Sequence, residues 1–339
     1  MTQYHLYRRG FDLGKIRVES SDKADPLENW QHGLAVKLPN FCRKEIDRSK
    51  QYIKQTESLV YSIWEEQELA KLLEYSPYQE RLEKQFTKLG SGVSEGDQQE
   101  IETVFFDGME NGEAVAQDLW VKNSWLSFFD EDASLRFRFS FGVDLEQDVA
   151  SDPHRQQFAA DLCDKIFPES KILSDHQELS ALLKKLLKQE QLNFVERIIY
   201  FNAPQGGAYL HHDLERGHAG VVYAQLSGET FWLALPRAKL IEAIREYSRH
   251  HYTSKEIAKL CTAPEILAKE LDSFANDELI ALINETPEFI KFLHNAGFSQ
   301  VMRAGDVLLL PQSSSNKCCW HSVFCLGDEV GQALSFAIR

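Results

Sequence analysis

The sequence predicts an α+β chain in which an antiparallel β domain is interrupted by one helical block. Three observations predict it. From residue 195 the segments VERIIYFNAP, GAYLHHDL, AGVVYAQLSG and TFWLALP are short, β-branched and aromatic, separated by Pro and Gly. Residues 237–300 then turn amphipathic at helical spacing, as in AKLIEAIREYSRHH and PEFIKFLHNAG. Strand character resumes in AGDVLLLPQ, KCCWHSVFCL and QALSFAIR. A helical block inside a run of strands is most simply an insertion at 237–300 in one sheet domain built from 133–236 and 301–339.

Residues 1–132 are expected to be mainly helical and to pack on that β core. Ile46, Ile53, Leu59, Val60, Ile63, Trp64, Leu72 and Leu73 recur every three or four positions among charges, which predicts helix over 43–90. GSGVSEGDQQE (90–100) reads as a loop by composition. In SLRFRFSFGV (134–143) Leu135, Phe137, Phe139 and Phe141 alternate with Arg136, Arg138 and Ser140, the period of a half-buried strand. Helices are expected across 155–190, where LSALLKKLLKQ is amphipathic.

The composition supports a real core: 43% of the 339 residues are hydrophobic and 11% aromatic. Thirty-seven basic against 52 acidic residues give a net charge of −15, a field that repels a phosphate backbone and argues against nucleic-acid binding. The same field mildly favours cationic or neutral substrates. The N-terminal stretch lacks the apolar run of a signal peptide, and FWLAL and VLLL are strand-sized, so no membrane span and a cytoplasmic location are expected. Six cysteines without CxxC spacing read as reduced thiols.

The chemistry concentrates in GGAYLHHDLERGHAG (206–220). On a strand, residues i and i+2 share a face, so His211 and Asp213 point together and His212 points away. His321 in CCWHSVF supplies a third ligand from a distant strand. Two histidines and one carboxylate, with adjacent positions open, are the set expected for non-haem Fe(II). His212 and His218 read as surface or hydrogen-bonded residues, and Cys318 and Cys319 as packing, because a thiolate there would close the open coordination face. Tyr209 and Tyr223 are candidate pocket-lining residues. Arg136 and Arg138 form either a solvated strand face or a contact for an anionic substrate.

HHDLERGHAGVVYAQLSGETFWLALP, followed by AGDVLLLPQ and WHSVF, resembles the JmjC-like, cupin-type Fe(II)/2-oxoglutarate oxygenases. The HxD strand, Gln225 with Gly228, a strand ending in Pro236, Gly305-Asp306, Pro311 and His321 occur in that family's order. The likeness covers about 195–236 and 301–339. It implies a double-stranded β-helix (jelly-roll or cupin) barrel with Fe(II) on His211, Asp213 and His321, 2-oxoglutarate as cosubstrate and O2 as oxidant. It further implies release of succinate and hydroxylation of an unactivated C–H bond.

One departure bears on the cosubstrate. Thr230 stands where many relatives carry a lysine for its distal carboxylate. Arg339, sharing a strand face with Ser335 and Ala337, and Arg197 are the candidate replacements, since arginine suits a carboxylate bidentately. The expected substrate is a small molecule or a peptidyl side chain, and the helical regions offer a surface for a homodimer. Two other readings stay open: a cupin-type isomerase or dioxygenase without 2-oxoglutarate, and a non-catalytic binding or sensor module.

Overall fold

A computed structural model describes residues 2–8, 10–18, 25–96, 99–125, 134–142, 152–214, 218–251, 253–314 and 318–339. The expected core boundary at 132/133 and the turn over 215–217 lie outside them. The chain opens with β1 (Thr2–Arg8), β2 (Phe11–Val18), α1 (Pro26–Gln31) and β3 (Val36–Leu38). Helices α2 (Arg43–Trp64), α3 (Leu69–Leu72) and α4 (Tyr78–Leu82) follow. Next come β4 (Phe86–Gly96), β5 (Gln99–Glu110), β6 (Glu113–Trp125) and β7 (Leu135–Phe141). After α5 (Pro153–Ile166), α6 (Lys171–Ser174) and α7 (Gln177–Leu187) lie β8 (Phe194–Asn202), β9 (Gly207–His211), β10 (Gly220–Gln225) and β11 (Glu229–Pro236). Five helices come next: α8 (Arg237–His250), α9 (Lys255–Cys261), α10 (Pro264–Ser273), α11 (Asp277–Glu285) and α12 (Pro287–Asn295). The chain closes with β12 (Ser299–Arg303), β13 (Val307–Pro311), β14 (Cys319–Leu326) and β15 (Gly331–Ile338).

The fold mixes helix with large antiparallel sheets. Among the described residues, one sheet has nine strands in the order β3-β13-β10-β15-β8-β7-β6-β5-β4 and another has four, β12-β11-β14-β9. Strands β11 and β12, on either side of α8–α12, are hydrogen-bonded neighbours from Glu229↔Arg303 to Leu233↔Ser299. Each sheet buries one face under helices. Ile199, Phe201, Phe137 and Phe336 share a core with Leu162, Leu179 and Leu183 of α5 and α7. Leu210, Phe231 and Leu235 share another with Leu240, Ile244 and Phe289 of the later helices. A smaller apolar cluster, including Tyr223, Leu308, Trp232 and Val323, joins the two sheets face to face. Fully burying one such side chain contributes roughly 1.5–3 kcal/mol, so these clusters fix the separation of the sheets.

The N-terminal region corrects the expectation of mainly helix. Strands β4–β6 extend the large sheet, and β1 pairs with β2 in a hairpin of its own. The segment expected as a loop at 90–100 lies mostly in β4 and β5, with 97–98 outside the described residues. A Gly- and Ser-rich edge strand needs only main-chain pairing, and Gly90 and Gly92 face open space, so composition hides it. The helix expected over 43–90 stops at Trp64; Glu66 takes a left-handed φ of 63°, and only two short helices follow. Among the described residues no helix is long and apolar enough to cross a membrane.

Candidate active site

Strand β9 sets the site. At Gly207 (φ 137°) an added Cβ would lie 2.1 Å from the Val323 carbonyl oxygen, so glycine lets β9 close against β14. The two strands pair at Phe324↔Gly207, Val323↔Ala208 and His321↔His211, with a break in register between Val323 and His321. Tyr209 and Leu210 therefore oppose the single residue Ser322, a β-bulge. Its consequence is a change of parity. Ala208 and His211 are three residues apart, an odd spacing that a regular strand would send to opposite faces, yet both line the same cavity.

The paired histidines meet with ring centroids 4.3 Å apart. Asp213, just past the end of β9, brings its Oδ2 within 3.7 Å of His321 Nε2. One ligand atom from each of His211, Asp213 and His321 lies within 4.8 Å of the others, a spacing that one metal ion bridges. His211 Nδ1 lies 2.6 Å from the Tyr209 carbonyl oxygen and His321 Nδ1 lies 3.2 Å from that of Cys319. Each Nδ1–H donates to that carbonyl, which leaves both Nε2 lone pairs for an ion. Burial, with His211 alongside, pulls the His321 pKa down to about 4, against a smaller upward pull from Asp213. The imidazole is thus neutral at physiological pH, as metal ligation requires. Two imidazole nitrogens and one carboxylate beside open space fit a divalent transition metal that keeps free positions.

That space is a cavity of about 300 Å³ between the two sheets, at the small end of the range for small-molecule sites. Trp232 lies nearly parallel to His321, 22° between planes at 5.7 Å. Tyr223 packs on Trp232 and donates its hydroxyl to Gln225 Oε1 at 2.6 Å. Burial pushes the Tyr223 pKa far up, so this hydroxyl stays protonated. Glu196, paired with Arg138, also faces the cavity. Among the described residues that line it, Arg136 supplies the one arginine or lysine, its Nε 3.4 Å from Ser124 Oγ.

Several expected positions are corrected. Arg197 lies on the opposite face of β8 from Glu196, bound to Asp164 at 2.6 Å, because neighbouring residues on a strand alternate faces. Arg339 follows the last residue of β15 and exchanges main-chain hydrogen bonds of 3.0 Å with Asn193; Ser335 and Ala337 line the cavity and Arg339 does not. Thr230 is fully buried, with its hydroxyl donating to Gln225 Oε1 and accepting from Trp232 Nε1, both at 2.9 Å, so it does not line the cavity. Tyr209 is turned away by the bulge and donates to Glu285 Oε1 at 2.8 Å. His218, read from sequence as a surface or hydrogen-bonded histidine, is buried and lines the cavity, its Nδ1 4.0 Å from Glu196 Oε2. His212 packs edge-on against Trp320. Cys319 packs in the apolar cluster between the sheets.

Trp232 and Glu196 were missed by sequence reasoning. Trp232 had a usable signal, since alternation puts it on one face with Thr230 and Ala234. Glu196 had none without the pairing of β8 to its neighbours.

No protein-family model matches the chain, and no curated protein does. Similar solved structures include an oxidoreductase of the 2OG-Fe(II) oxygenase family from Burkholderia pseudomallei. It is 11% identical, has a TM-score of 0.35, and the match covers 96% of this chain and 93% of that one. YcfD, a ribosomal oxygenase from Escherichia coli, is also 11% identical, with a TM-score of 0.26 over 72% of this chain and 40% of that one.

Proposed function

We propose that the chain is an Fe(II)- and 2-oxoglutarate-dependent oxygenase that hydroxylates an unactivated C–H bond of a small-molecule or amino-acid side-chain substrate. In this reading β8–β15 form a double-stranded β-helix, and α8–α12 are an insertion between two of its strands. The observation that carries the reading is the convergence of His211, Asp213 and His321, from two strands distant in sequence, at the wall of a cavity between the sheets. Held by His211, Asp213 and His321, Fe(II) would supply a Lewis-acidic, redox-active centre for the cosubstrate and dioxygen. Overall, substrate, 2-oxoglutarate and O2 become hydroxylated substrate, succinate and CO2.

The chain's own groups do the holding. His211 and His321 present Nε2 because their Nδ1 protons are tied to main-chain carbonyls. Asp213 adds the negative charge that keeps a divalent ion in place. Arg136 replaces Arg197 and Arg339 as the partner for the distal carboxylate of 2-oxoglutarate, since it reaches the cavity and they do not. Trp232 and Tyr223 exclude water from the wall beside His321 and give the cosubstrate a flat apolar surface.

Anaerobic calorimetry tests this directly. Metal-free protein should bind one Mn(II) per chain, and 2-oxoglutarate should bind only the metal-loaded form. His211→Ala and Asp213→Ala should abolish metal binding with the fold intact by circular dichroism. Full-strength metal binding in either variant would mean the ligands are misassigned. Metal binding without any affinity for 2-oxoglutarate would eliminate the cosubstrate and leave a metal enzyme of another kind.

A further inference from the structure

At the bulge in β9, two residues from outside both sheets reach main-chain groups: the Ala208 carbonyl, which also accepts from Ser322 Oγ at 3.1 Å, and the Leu210 amide. Arg8, at the end of the N-terminal hairpin, is 1% exposed. Its Nη1 donates to the Ala208 carbonyl at 2.7 Å and to Ser322 Oγ, the residue opposite the bulge. Its Nη2 donates to the Asn284 carbonyl at 2.8 Å. The guanidinium carbon lies 4.8 Å from the ring centroid of Tyr209 and 4.1 Å from that of Phe324, so the group also packs against both rings. Asn284, also 1% exposed, accepts from the Leu210 amide at 2.7 Å through Oδ1. Asn284 sits near the end of α11, whose start is fixed by Asn276 accepting from the Leu279 amide.

We propose that Arg8 and Asn284 form a positioning clamp for His211: by holding the Ala208 carbonyl just before the bulge and the Leu210 amide within it, they fix the bulge and so the direction in which His211 enters the cavity. The link runs through one more bond. The Tyr209 carbonyl that orients His211 through Nδ1 belongs to the bulge itself. A bulge free to slip by one residue would return β9 to strict alternation, with His211 and Ala208 on opposite faces. The guanidinium suits this task because its rigid fork serves acceptors on β9, β14 and α11 at once, which a lysine ammonium on a flexible stem does not. The N-terminal hairpin and the helices between β11 and β12 thereby meet at the strand that carries His211 and leads directly into Asp213.

Two readouts test the clamp, and only one depends on the metal reading above. The first is the tautomer of His211 in metal-free, histidine-labelled protein, read by imidazole NMR. Wild type should show the Nδ1–H form, and Asn284→Leu and Arg8→Lys should show mixed tautomers. The second is Mn(II) affinity. Each variant should weaken it about 10- to 100-fold, the usual scale for losing a group that orients a ligand, and the double variant should lose less than the product of the two. Arg303→Met is the control, because Arg303 ties the same hairpin to the sheet through Tyr4 and Glu229, away from the bulge. It should lower the melting temperature and leave both readouts at the wild-type value. The clamp is overturned if the two bulge variants keep the wild-type tautomer and affinity, or if Arg303→Met shifts them equally. Failure of wild type to bind Mn(II) would strike the metal reading alone, and the tautomer would still decide the clamp.

Discussion

Strand β8 carries charged groups on both faces, and the two faces treat them differently. On one side Glu196, Tyr200 and Asn202 look into the cavity beside the metal-ligand candidates. On the other, Arg197 binds Asp164, Ser170 donates to that same carboxylate, and Gln332 of the adjacent β15 donates to Glu169 at 2.7 Å. Glu196 in front and Arg197 and Glu169 behind are all buried, so burial alone does not tell function from structure. Convergence does. The rear groups pair mainly with one another, and Arg197 lies over the Phe336 ring at 5.1 Å, while Arg197 Nε, Glu169 Oε2 and Gln332 Oε1 are buried without a hydrogen-bond partner among the described residues. The front groups surround a space large enough for a small molecule. A buried polar cluster paired mainly within itself serves the fold, whereas one that faces a void has room for a ligand.

The largest effect expected is on the rear side. Arg197→Ala strands the Asp164 carboxylate, whose pKa burial already raises against the pull of the guanidinium. Removing one partner of such a pair costs about 3–5 kcal/mol, read as a lowered urea midpoint. The affinity of the folded fraction for 2-oxoglutarate should not change. A drop in that affinity beyond what unfolding explains would break the contrast between the faces and return Arg197 to the site.

On the front side Arg136→Met sharpens the contrast with a smaller loss of the opposite kind. A hydrogen bond to a charged group contributes about 1.5–3 kcal/mol, so the Kd for 2-oxoglutarate should rise roughly 10- to 100-fold while the urea midpoint moves little. Arg136→Lys should recover part of the affinity. An unchanged Kd would remove Arg136 from the cosubstrate's contacts.

These two arginines also show where the sequence was legible. Parity along a strand paired His211 with Asp213, and the resemblance carried by Gln225, Gly228, Pro236, Gly305 and His321 supplied the order of the strands around them, so the cluster of three could be read in one dimension. The same parity failed at Tyr209, because a bulge is invisible to alternation until the partner strand is known. It failed again for the cation. Arg136 reaches the cavity from β7, which pairs with β8 at Arg136↔Tyr200, a long-range register that no local pattern encodes. Strand β4 escaped notice for a related reason: Gly, Ser and Glu on an edge strand look like a loop, and only the ladder to β5 makes it part of a sheet. Helices α5 and α7, by contrast, announce themselves through caps and periodicity, with Asp152 accepting from the Arg155 amide and Leu179, Leu183 and Leu186 on the buried face.

The smallest effect separates the faces by their response to pH. Glu169 is fully buried, and that burial pushes its carboxyl pKa up, with hydrogen bonds from Thr56 and Gln332 opposing the shift only in part. In the window between the unfolded and folded pKa values the native state holds more protons than the unfolded one, so stability falls as pH rises through it. Glutamine keeps the shape and cannot ionise. Glu169→Gln should therefore be more stable than wild type at pH 8, by on the order of 1 kcal/mol, and the gain should vanish below about pH 4, where a carboxyl is protonated in both states. Metal affinity should follow the wild-type pH profile throughout, because Glu169 belongs to the closed rear cluster. If Glu169→Gln instead destabilised the protein equally at pH 8 and pH 4, the rear carboxyl would be a charged partner in the fold, and self-satisfaction by neutral hydrogen bonds would not describe that face.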